Sequence, residues 1–293
     1  MAKIGLIQVD NKMSGDIGAR QGVLIEFAEK CFEEGANLVF FSEAFQYVAN
    51  KKILEDIDFL KETSEFWKQR CAELARKYHA YIVPWDYYVD DKGDVFNSSY
   101  ILDRDGEFAG RYCKCNLTYG EVGNGVTRGS EIPVFDLDIG KVGIMICFDN
   151  YFPEVAATLG NNGAELILYP LYGDTLKVGW ELKMRARAVD HSLYVASCQI
   201  DTRFDVAYTG VVDPEGNVIA RLDGKNMYTV VDINPGCKVI TNTACNKNIV
   251  GENLREYLHK SRNYAVFKSI SEEGTAPLEW NDIFINKSDD WSF

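Results

Sequence analysis

The pattern of apolar and polar positions along the chain predicts short strands interrupted by helices. Strands are expected at residues 3–9, 37–41, 80–88, 95–102, 107–113, 133–138, 142–147, 165–169, 193–200, 209–213, 217–222 and 228–233, where residues are apolar or alternate with a period of two. Helices are expected at residues 18–34, 60–78, about 152–163, 178–190 and 252–260. Residues 114–130, rich in Gly, Thr and Asn, are predicted to form a loop.

The order of these elements predicts the fold class. A strand–helix–strand unit occurs near residues 3–43 and again near 142–170, with hairpins between and after the two units. This order predicts an α/β protein in which two mixed sheets pack face to face, each covered by helices on its other face. No linker divides residues 1–233, so we expect one domain there. The polar remainder, residues 234–293, is expected to be an arm that packs on the same or a neighbouring subunit.

Charge and cysteine content restrict the class of partner. The net charge of −13 argues against nucleic acid or an anionic membrane as partner. Residues 2–10 are typical of a first strand rather than a signal peptide, and no apolar run approaches the roughly 18 residues of a membrane helix. Eight scattered cysteines, several inside apolar segments, indicate reduced thiols and a cytoplasmic protein.

The segment KVGIMICFDNYFPE, residues 141–154, is the centre of the predicted fold. Cys147 lies where a buried strand gives way to a helix, with Asp149 and Asn150 as expected capping residues and Pro153 in the first turn. A thiol near a helix N-terminus has its thiolate stabilised by free N–H groups and the helix dipole. Cys147 is therefore a candidate nucleophile; the alternative is a buried core cysteine.

Three other polar residues occupy positions that fit catalysis. Glu43 ends an apolar strand, where a carboxylate is costly to bury without a partner. Lys114 follows a hairpin strand, and Glu121 lies in the Gly-rich loop after it. A nucleophilic thiol needs a base, and an acyl-transfer intermediate needs a donor for its oxyanion. Glu, Lys and Cys can fill these roles without any of the three histidines.

Five segments of the sequence resemble the signature blocks of the carbon–nitrogen hydrolases, the nitrilase superfamily. They are FSEAF around Glu43, RYCKCNLTYGE around Lys114, ICFDNYFPE around Cys147, RARAVDHSLYVASCQ (185–199) and GVVDPEGNVIARL (210–222). The resemblance covers roughly residues 3–233. Three of these blocks in this order are highly specific, whereas a single match would be weak.

The resemblance implies a four-layer α-β-β-α sandwich and a Glu-Lys-Cys triad. By position, Glu43 is then the general base, Lys114 stabilises the tetrahedral intermediate, and Cys147 is the nucleophile that forms a thioester. Glu121 matches a second glutamate in the active site, and the backbone N–H of Phe148 would complete the oxyanion hole. The resemblance implies no metal and no organic cofactor, and it implies a homo-oligomer.

The residues of the substrate pocket are less defined. Aromatic residues expected in or near loops that face the triad are Phe45, Tyr47, Trp85, Tyr119, Tyr172 and Trp180. Of these, Tyr47, Tyr119 and Tyr172 are assigned to substrate binding, with core packing as the alternative for each aromatic residue. Asp174 is assigned with them to bind a cationic substrate group, and a loop-capping role is its alternative. Ser42, Asn116 and His191 stand where many relatives have Pro, His, and Glu or Asn, and these departures concern the substrate rather than the chemistry.

The sequence therefore predicts a hydrolase that cleaves a non-peptide C–N bond, an amide or N-carbamoyl group of a small molecule, and releases ammonia or an amine. A true nitrilase, which converts a nitrile to acid and ammonia, is the alternative within the same chemistry. Three alternatives from other classes are a non-catalytic binding protein on this fold, a metal-binding module using Cys113 and Cys115, and a thiol–disulfide enzyme. The last would need a Cys-x-x-Cys motif, which the sequence lacks.

Overall fold

The computed structural model describes residues 1–13, 15–47, 53–173, 179–200, 207–237, 239–241 and 252–263. The strands are β1 (Ala2–Gln8), β2 (Leu38–Phe40), β3 (Tyr81–Val83), β4 (Trp85–Val89), β5 (Val95–Leu102), β6 (Phe108–Cys113), β7 (Val134–Leu137), β8 (Gly140–Ile144), β9 (Leu166–Leu171), β10 (Tyr194–Gln199), β11 (Thr209–Val212), β12 (Val218–Leu222), β13 (Met227–Ile233), β14 (Ile240–Thr241) and β15 (Glu252–Asn253). The helices are α1 (Ile17–Glu33), α2 (Ile57–Tyr78), α3 (Tyr119–Gly123), α4 (Pro153–Asn161), α5 (Gly179–His191) and α6 (Leu254–Ser261). Within these described ranges, no helix has both the length and the apolar surface that a membrane span requires.

The strands of the first 239 residues form two mixed sheets. The first has the order β13–β1–β2–β3–β5–β4, with β6 also paired to β5, and its β1–β2–β3 core is parallel. The second has the order β12–β11–β10–β9–β8–β7, with β8, β9 and β10 parallel. The predicted pair of mixed sheets is therefore confirmed.

Successive side chains along a strand point to opposite faces of its sheet, so the apolar residues form three separate cores, one between the sheets and one beneath each helical layer. Leu38 and Phe40 of β2 join Ile144 and Leu168 in a central core between the two sheets. Val39, between them in sequence, belongs to an outer core beneath α1 and α2. A second outer core lies beneath α4 and α5 and is formed by Val155, Leu159, Met184, Ala188, Ile167 and Val195. Two helical layers on two packed sheets give the four-layer α-β-β-α sandwich that the sequence predicts.

Two sequence predictions in the first sheet need correction. The strand expected at residues 80–88 is divided into β3 and β4, because Pro84 lacks the N–H that a continuous ladder requires. The Pro84 carbonyl still accepts the N–H of Tyr100, at 3.1 Å. The predicted loop at 114–130 contains the short helix α3, whose first turn is closed by a capping box between Thr118 and Glu121.

The segment after β8 also differs from the prediction. Cys147–Tyr151 forms a 3-10 turn, and α4 begins only at Pro153, with Phe152 as a cap that makes no side-chain bond. Asp149 therefore does not cap α4. Its carboxylate instead accepts the backbone N–H of Ile146, at 3.0 Å, and so closes the turn on the strand that precedes it.

The second compact unit of the chain begins at Ile240. Its described part consists of the antiparallel pair β14–β15 and helix α6, which Asn253 caps through the N–H of Arg255. The domain boundary predicted after residue 233, and the packing of residues 234–293 on this or another subunit, stay predictions.

Candidate active site

Three segments that are distant in sequence bring Glu43, Lys114 and Cys147 together. Glu43 lies three residues after β2 of the first sheet, and Cys147 lies three residues after β8 of the second. Lys114 directly follows β6, and its Nζ lies 3.0 Å from Oε1 of Glu43. The site thus forms where the carboxyl ends of strands from the two packed sheets meet.

Glu121 completes a buried ionic group around Lys114. Both carboxylate oxygens of Glu121 lie 2.9 Å from Nζ of Lys114. Lys114 is 1% exposed, Glu43 5% and Glu121 6%, so water contributes little to the solvation of these charges. Buried charges are tolerated only when they are paired and hydrogen-bonded. One ammonium therefore faces two carboxylates, and hydrogen bonds must stabilise the second negative charge.

Helix α3 fixes the position of Glu121. The backbone N–H and the hydroxyl of Thr118 both donate to Oε2 of Glu121, at 2.8 and 2.9 Å. This is the T-x-x-E capping box, in which the glutamate side chain turns back to the start of its own helix. The carboxylate that a capping box normally exposes is here directed to Lys114.

Cys147 has an unusual backbone conformation. Its φ of 45° lies in the left-handed region, which costs a residue with a side chain of the order of 1 kcal/mol or more. Ala44, next to Glu43, is also left-handed, with a φ of 62°. The hydroxyl of Tyr169 donates to the Cys147 carbonyl at 3.0 Å and helps to hold the turn. Strain of this kind concentrates at functional sites, because a required side-chain direction is imposed by the surrounding fold.

The electrostatic setting of Cys147 differs from the sequence expectation of a stabilised thiolate. Burial raises the pKa of the thiol well above its ordinary value of 9.0, and the charge of the Glu43 carboxylate, to which the thiol hydrogen bonds, raises it further. Lys114 acts in the opposite direction but is outweighed. The thiol of the resting protein is therefore neutral and hydrogen-bonded to the Glu43 carboxylate.

Lys114 and Glu121, the other charged residues near the thiol, both remain ionised. Burial opposes the charge on Lys114, yet Glu43 and Glu121 raise the pKa of its ammonium well above 10.5. Burial also opposes ionisation of Glu121, but the Lys114 charge and the hydrogen bonds from Thr118 and Asn97 lower the pKa of the carboxyl below 4.5. The site therefore holds a fixed cation and a fixed anion at neutral pH.

Sequence reasoning assigned no role in the site to two buried polar residues, Asn97, which contacts the ionic group, and Asp149, which lies in the turn that carries Cys147. The amide of Asn97 in β5 donates to both Glu43 and Glu121. Asp149, which is fully buried, accepts the hydroxyl of Tyr112 at 2.7 Å as well as the N–H of Ile146. In the sequence, Asn97 could have been recognised as a polar residue inside an apolar strand. Asp149 could have been recognised as an acidic residue two positions after Cys147.

The predicted pocket tyrosines occupy different environments. Tyr47 is buried, and its hydroxyl donates to Oδ1 of Asp86 at 2.6 Å. Tyr119 is half exposed at the start of α3. Tyr172 is directly connected to the site, because its backbone N–H donates to Oε2 of Glu43 at 3.0 Å. Asp174 lies outside the described residues, and the substrate-binding roles of all four residues stay predictions.

The other aromatic candidates are mostly core residues by burial. Phe45, Trp85 and Trp180 have no exposed surface. Phe148, whose N–H is the predicted oxyanion donor, is partly exposed, and its ring packs against Tyr151 and Phe152 with centroids 5.2 and 5.3 Å away. The oxyanion role of the Phe148 N–H stays a prediction.

Comparison with known sequences identifies the family. The profile described as carbon–nitrogen hydrolase matches residues 3–237, which is most of the chain, and the chain therefore belongs to the carbon–nitrogen hydrolase family. Among its relatives, the probable hydrolase nit2 of Schizosaccharomyces pombe is 33% identical over 228 residues, 71% of this chain and 82% of that protein. The omega-amidase NIT2 of Mus musculus is 27% identical over 250 residues, 79% of this chain and 88% of that protein.

Solved structures agree with this assignment. Nit3 of Saccharomyces cerevisiae, a member of branch 10 of the nitrilase superfamily, matches with a TM-score of 0.67 and 25% identity, covering 80% of this chain and 90% of that one. An amidase from Nesterenkonia sp. matches with a TM-score of 0.72 and 20% identity, covering 92% and 96%, and at that identity it supports the fold alone. The chain is a carbon–nitrogen hydrolase with the nitrilase fold, as the sequence predicts.

Proposed function

We propose that this chain hydrolyses the carboxamide bond of a small molecule through a thioester on Cys147. The observation that carries the proposal is the contact of one buried ammonium, that of Lys114, with the carboxylates of Glu43 and Glu121, while the Cys147 thiol hydrogen bonds to Glu43. This arrangement supplies a nucleophile, a base and a cation for an oxyanion in one water-poor site.

The acylation step follows from the neutral thiol. The Glu43 carboxylate takes the proton of Cys147 as Sγ attacks the carbonyl carbon, and the carbonyl oxygen becomes an oxyanion. The Lys114 ammonium and the Phe148 N–H stabilise that charge. Glu43, now a carboxylic acid, returns the proton to the leaving nitrogen, so the C–N bond breaks, ammonia or an amine departs, and a thioester remains.

In deacylation, water is the nucleophile and the Cys147 sulfur is the leaving group. Glu43 removes a proton from a water molecule, whose oxygen attacks the thioester carbonyl and forms a second oxyanion next to Lys114. The C–S bond then breaks, the sulfur takes the proton from Glu43, and the carboxylic acid product leaves. Glu121 remains ionised throughout and holds Lys114 in place, which fits the lowered pKa of its carboxyl.

An amide is the proposed substrate class because the relatives with named activities include the omega-amidases of Mus musculus and Homo sapiens. N-carbamoyl compounds and nitriles are the competing classes. Both would use the same nucleophile as an amide, so the substrate that is consumed, and not the identity of the nucleophile, separates the three classes.

The test is intact-protein mass spectrometry after brief mixing with a panel of amides, N-carbamoyl compounds and nitriles, together with product analysis. We expect an acyl mass gain in wild type that is absent in Cys147→Ala and forms much more slowly in Glu43→Gln, because that variant lacks the base for acylation. Cys113→Ala is the matched control, because it removes another partly buried thiol beside Lys114. Wild-type turnover in Cys147→Ala, or an adduct that disappears only in Cys113→Ala, would disprove the thioester on Cys147.

A homo-oligomer is part of the proposal. Leu182 and Val189 lie seven residues apart on one face of α5 and are 66% and 46% exposed. Large apolar side chains aligned on one exposed helix face favour a symmetric contact between copies. Light scattering of wild type should give at least a dimer, and Leu182→Lys with Val189→Lys should give a smaller species; a monomeric wild type would contradict the proposal.

A further inference from the structure

Asn97 is a buried polar residue in an otherwise mostly apolar strand. It lies in β5, opposite Tyr87 of β4, and only 2% of its surface is exposed. A buried side-chain amide costs free energy unless its donors and its acceptor are all paired. Every group of the Asn97 side chain has a partner, and each partner belongs to the site or is adjacent to it.

The Asn97 amide duplicates the contacts of the Lys114 ammonium. Its Nδ2 donates to Oε1 of Glu43 at 2.7 Å and to Oε1 of Glu121 at 2.6 Å. Nζ of Lys114 lies 3.0 and 2.9 Å from the same two oxygens. Two nitrogens thus bridge one pair of carboxylate oxygens. Because the ammonium neutralises only one negative charge, the neutral N–H donors of Asn97 stabilise the second carboxylate without introducing another ion.

The orientation of the amide is fixed by Trp85. The indole Nε1 of Trp85 donates to Oδ1 of Asn97 at 2.7 Å. If the amide were flipped, its oxygen would face two carboxylates and its NH₂ would face the indole N–H, so three favourable contacts would become repulsive. The indole N–H therefore selects the orientation in which Asn97 donates to the glutamates.

The backbone of Asn97 also positions Lys114. The carbonyl of Asn97 accepts the N–H of Lys114 at 2.8 Å. One residue therefore contacts the main chain of the lysine and both carboxylates that hold its ammonium. Displacement of Asn97 would move all three charged groups of the site together.

We propose that Asn97 is a positioning residue that holds the Glu43 and Glu121 carboxylates on the Lys114 ammonium, and that the Trp85 indole N–H fixes its amide in the donating orientation. The inference rests on the proposed function, because the glutamates it holds are the proposed base and its companion. Asn97 acts on the reaction only through the residues that it positions.

Three variants separate the parts of this proposal. Asn97→Asp is nearly isosteric and replaces the NH₂ donor with an oxygen, so a third carboxylate faces the other two. Asn97→Ala removes the donors without adding charge. Trp85→Phe keeps an aromatic ring and removes the N–H that fixes the amide. Trp67→Phe is the control, since Trp67 is also fully buried but its Nε1 has no hydrogen-bond partner among the described residues.

The principal readout needs no substrate. The rate of Cys147 alkylation by chloroacetamide, followed by peptide mass spectrometry against pH, depends on whether Glu43 is ionised and able to accept the thiol proton. Loss of the N–H donors makes protonation of the carboxylates easier, so the acid limb of this profile should move to higher pH. We expect about one pH unit for Asn97→Ala, more for Asn97→Asp and less for Trp85→Phe. Trp67→Phe should overlay wild type.

Turnover supplies the second readout. The kcat of Asn97→Ala should fall about 10- to 100-fold with little change in KM, because the misplaced groups act on the chemical step. Alkylation profiles of Asn97→Ala and Trp85→Phe that overlay wild type would overturn the inference, whatever the turnover. Shifted profiles in a protein that hydrolyses no amide would support the positioning role and reject the proposed function.

Discussion

Asn116 donates to Asp149 twice: its backbone N–H lies 3.0 Å and its side-chain amide 3.1 Å from Oδ1 of the carboxylate. The other oxygen of Asp149 accepts the Ile146 N–H and the Tyr112 hydroxyl. One fully buried carboxylate therefore joins the segment that carries Lys114 to the turn that carries Cys147. The relative position of Lys114 and Cys147 depends on this junction.

The effect of substitutions at Asn116 on stability should depend on whether the Asp149 carboxyl is ionised. Asn116→Ala removes one donor and should lower the free energy of unfolding by about 1 kcal/mol. Asn116→Asp places a second carboxylate against Asp149, whose pKa is already raised by burial, so the folded state should bind a proton that the unfolded state releases. The free energy of unfolding of Asn116→Asp should therefore fall as pH rises from 5 to 8.

Urea denaturation of the two variants across that pH range checks this prediction. The difference in unfolding free energy between Asn116→Ala and Asn116→Asp should widen with pH and reach about 2 kcal/mol at pH 8. Parallel curves would show that Asp149 is not the negatively charged partner of residue 116.

The buried ionic group predicts that the effect of Glu121→Gln on the free energy of unfolding changes sign when Lys114 is replaced. Lys114→Met leaves two buried carboxylates without a cation and should lower the free energy of unfolding by about 3–5 kcal/mol. Glu121→Gln should destabilise wild type, because the ammonium loses a partner, but should stabilise the Lys114→Met variant, because it removes an unpaired charge. Denaturation of the four proteins forms a double-mutant cycle. If Glu121→Gln destabilises both backgrounds equally, the two charges are not coupled.

Gly129 packs closely against the backbone of the segment that carries Lys114. Its N–H donates to the Lys114 carbonyl at 2.9 Å, and a Cβ at this position would lie 2.0 Å from the carbonyl oxygen of Cys113. Gly129→Ala must therefore displace the segment that carries Lys114, and we expect at least a tenfold loss of kcat. Gly123→Ala is the control, since a Cβ there meets no atom within 4 Å in the part of the chain that the structure describes. Equal activity of the two variants would show that Lys114 tolerates movement of its backbone.

The sequence predicted the strands that carry the site because their apolar pattern is local. Glu43 and Cys147 were selected as candidates for the same reason, since each follows a buried strand, and their catalytic roles stay predictions. Asn97 was not found, because its role depends on Glu43, 54 positions away, and a polar residue in a strand more often faces solvent. Helix α3 was missed because five residues are too few to show helical periodicity, although the capping box T-x-x-E was present.

The state of the Cys147 thiol gives the last prediction. Burial raises its pKa most, the Glu43 charge comes next, and Glu121 contributes least. Glu43→Gln removes the nearer negative charge and leaves Lys114 to stabilise the thiolate, so the pKa of Cys147 should fall although turnover is lost. Glu121→Gln should lower that pKa less. The thiolate absorbance of each variant, measured against the same variant carrying Cys147→Ser, gives the titration.

A lower thiol pKa in Glu43→Gln would mean that Glu43 keeps the resting thiol neutral and takes its proton only during attack, instead of maintaining a thiolate–ammonium pair with Lys114. The mechanism would then require proton transfer and carbon–sulfur bond formation in the same step, and the rate should depend on the ionised fraction of Glu43. An unchanged or higher pKa in Glu43→Gln would contradict this, because the carboxylate would not be the charge that opposes thiolate formation.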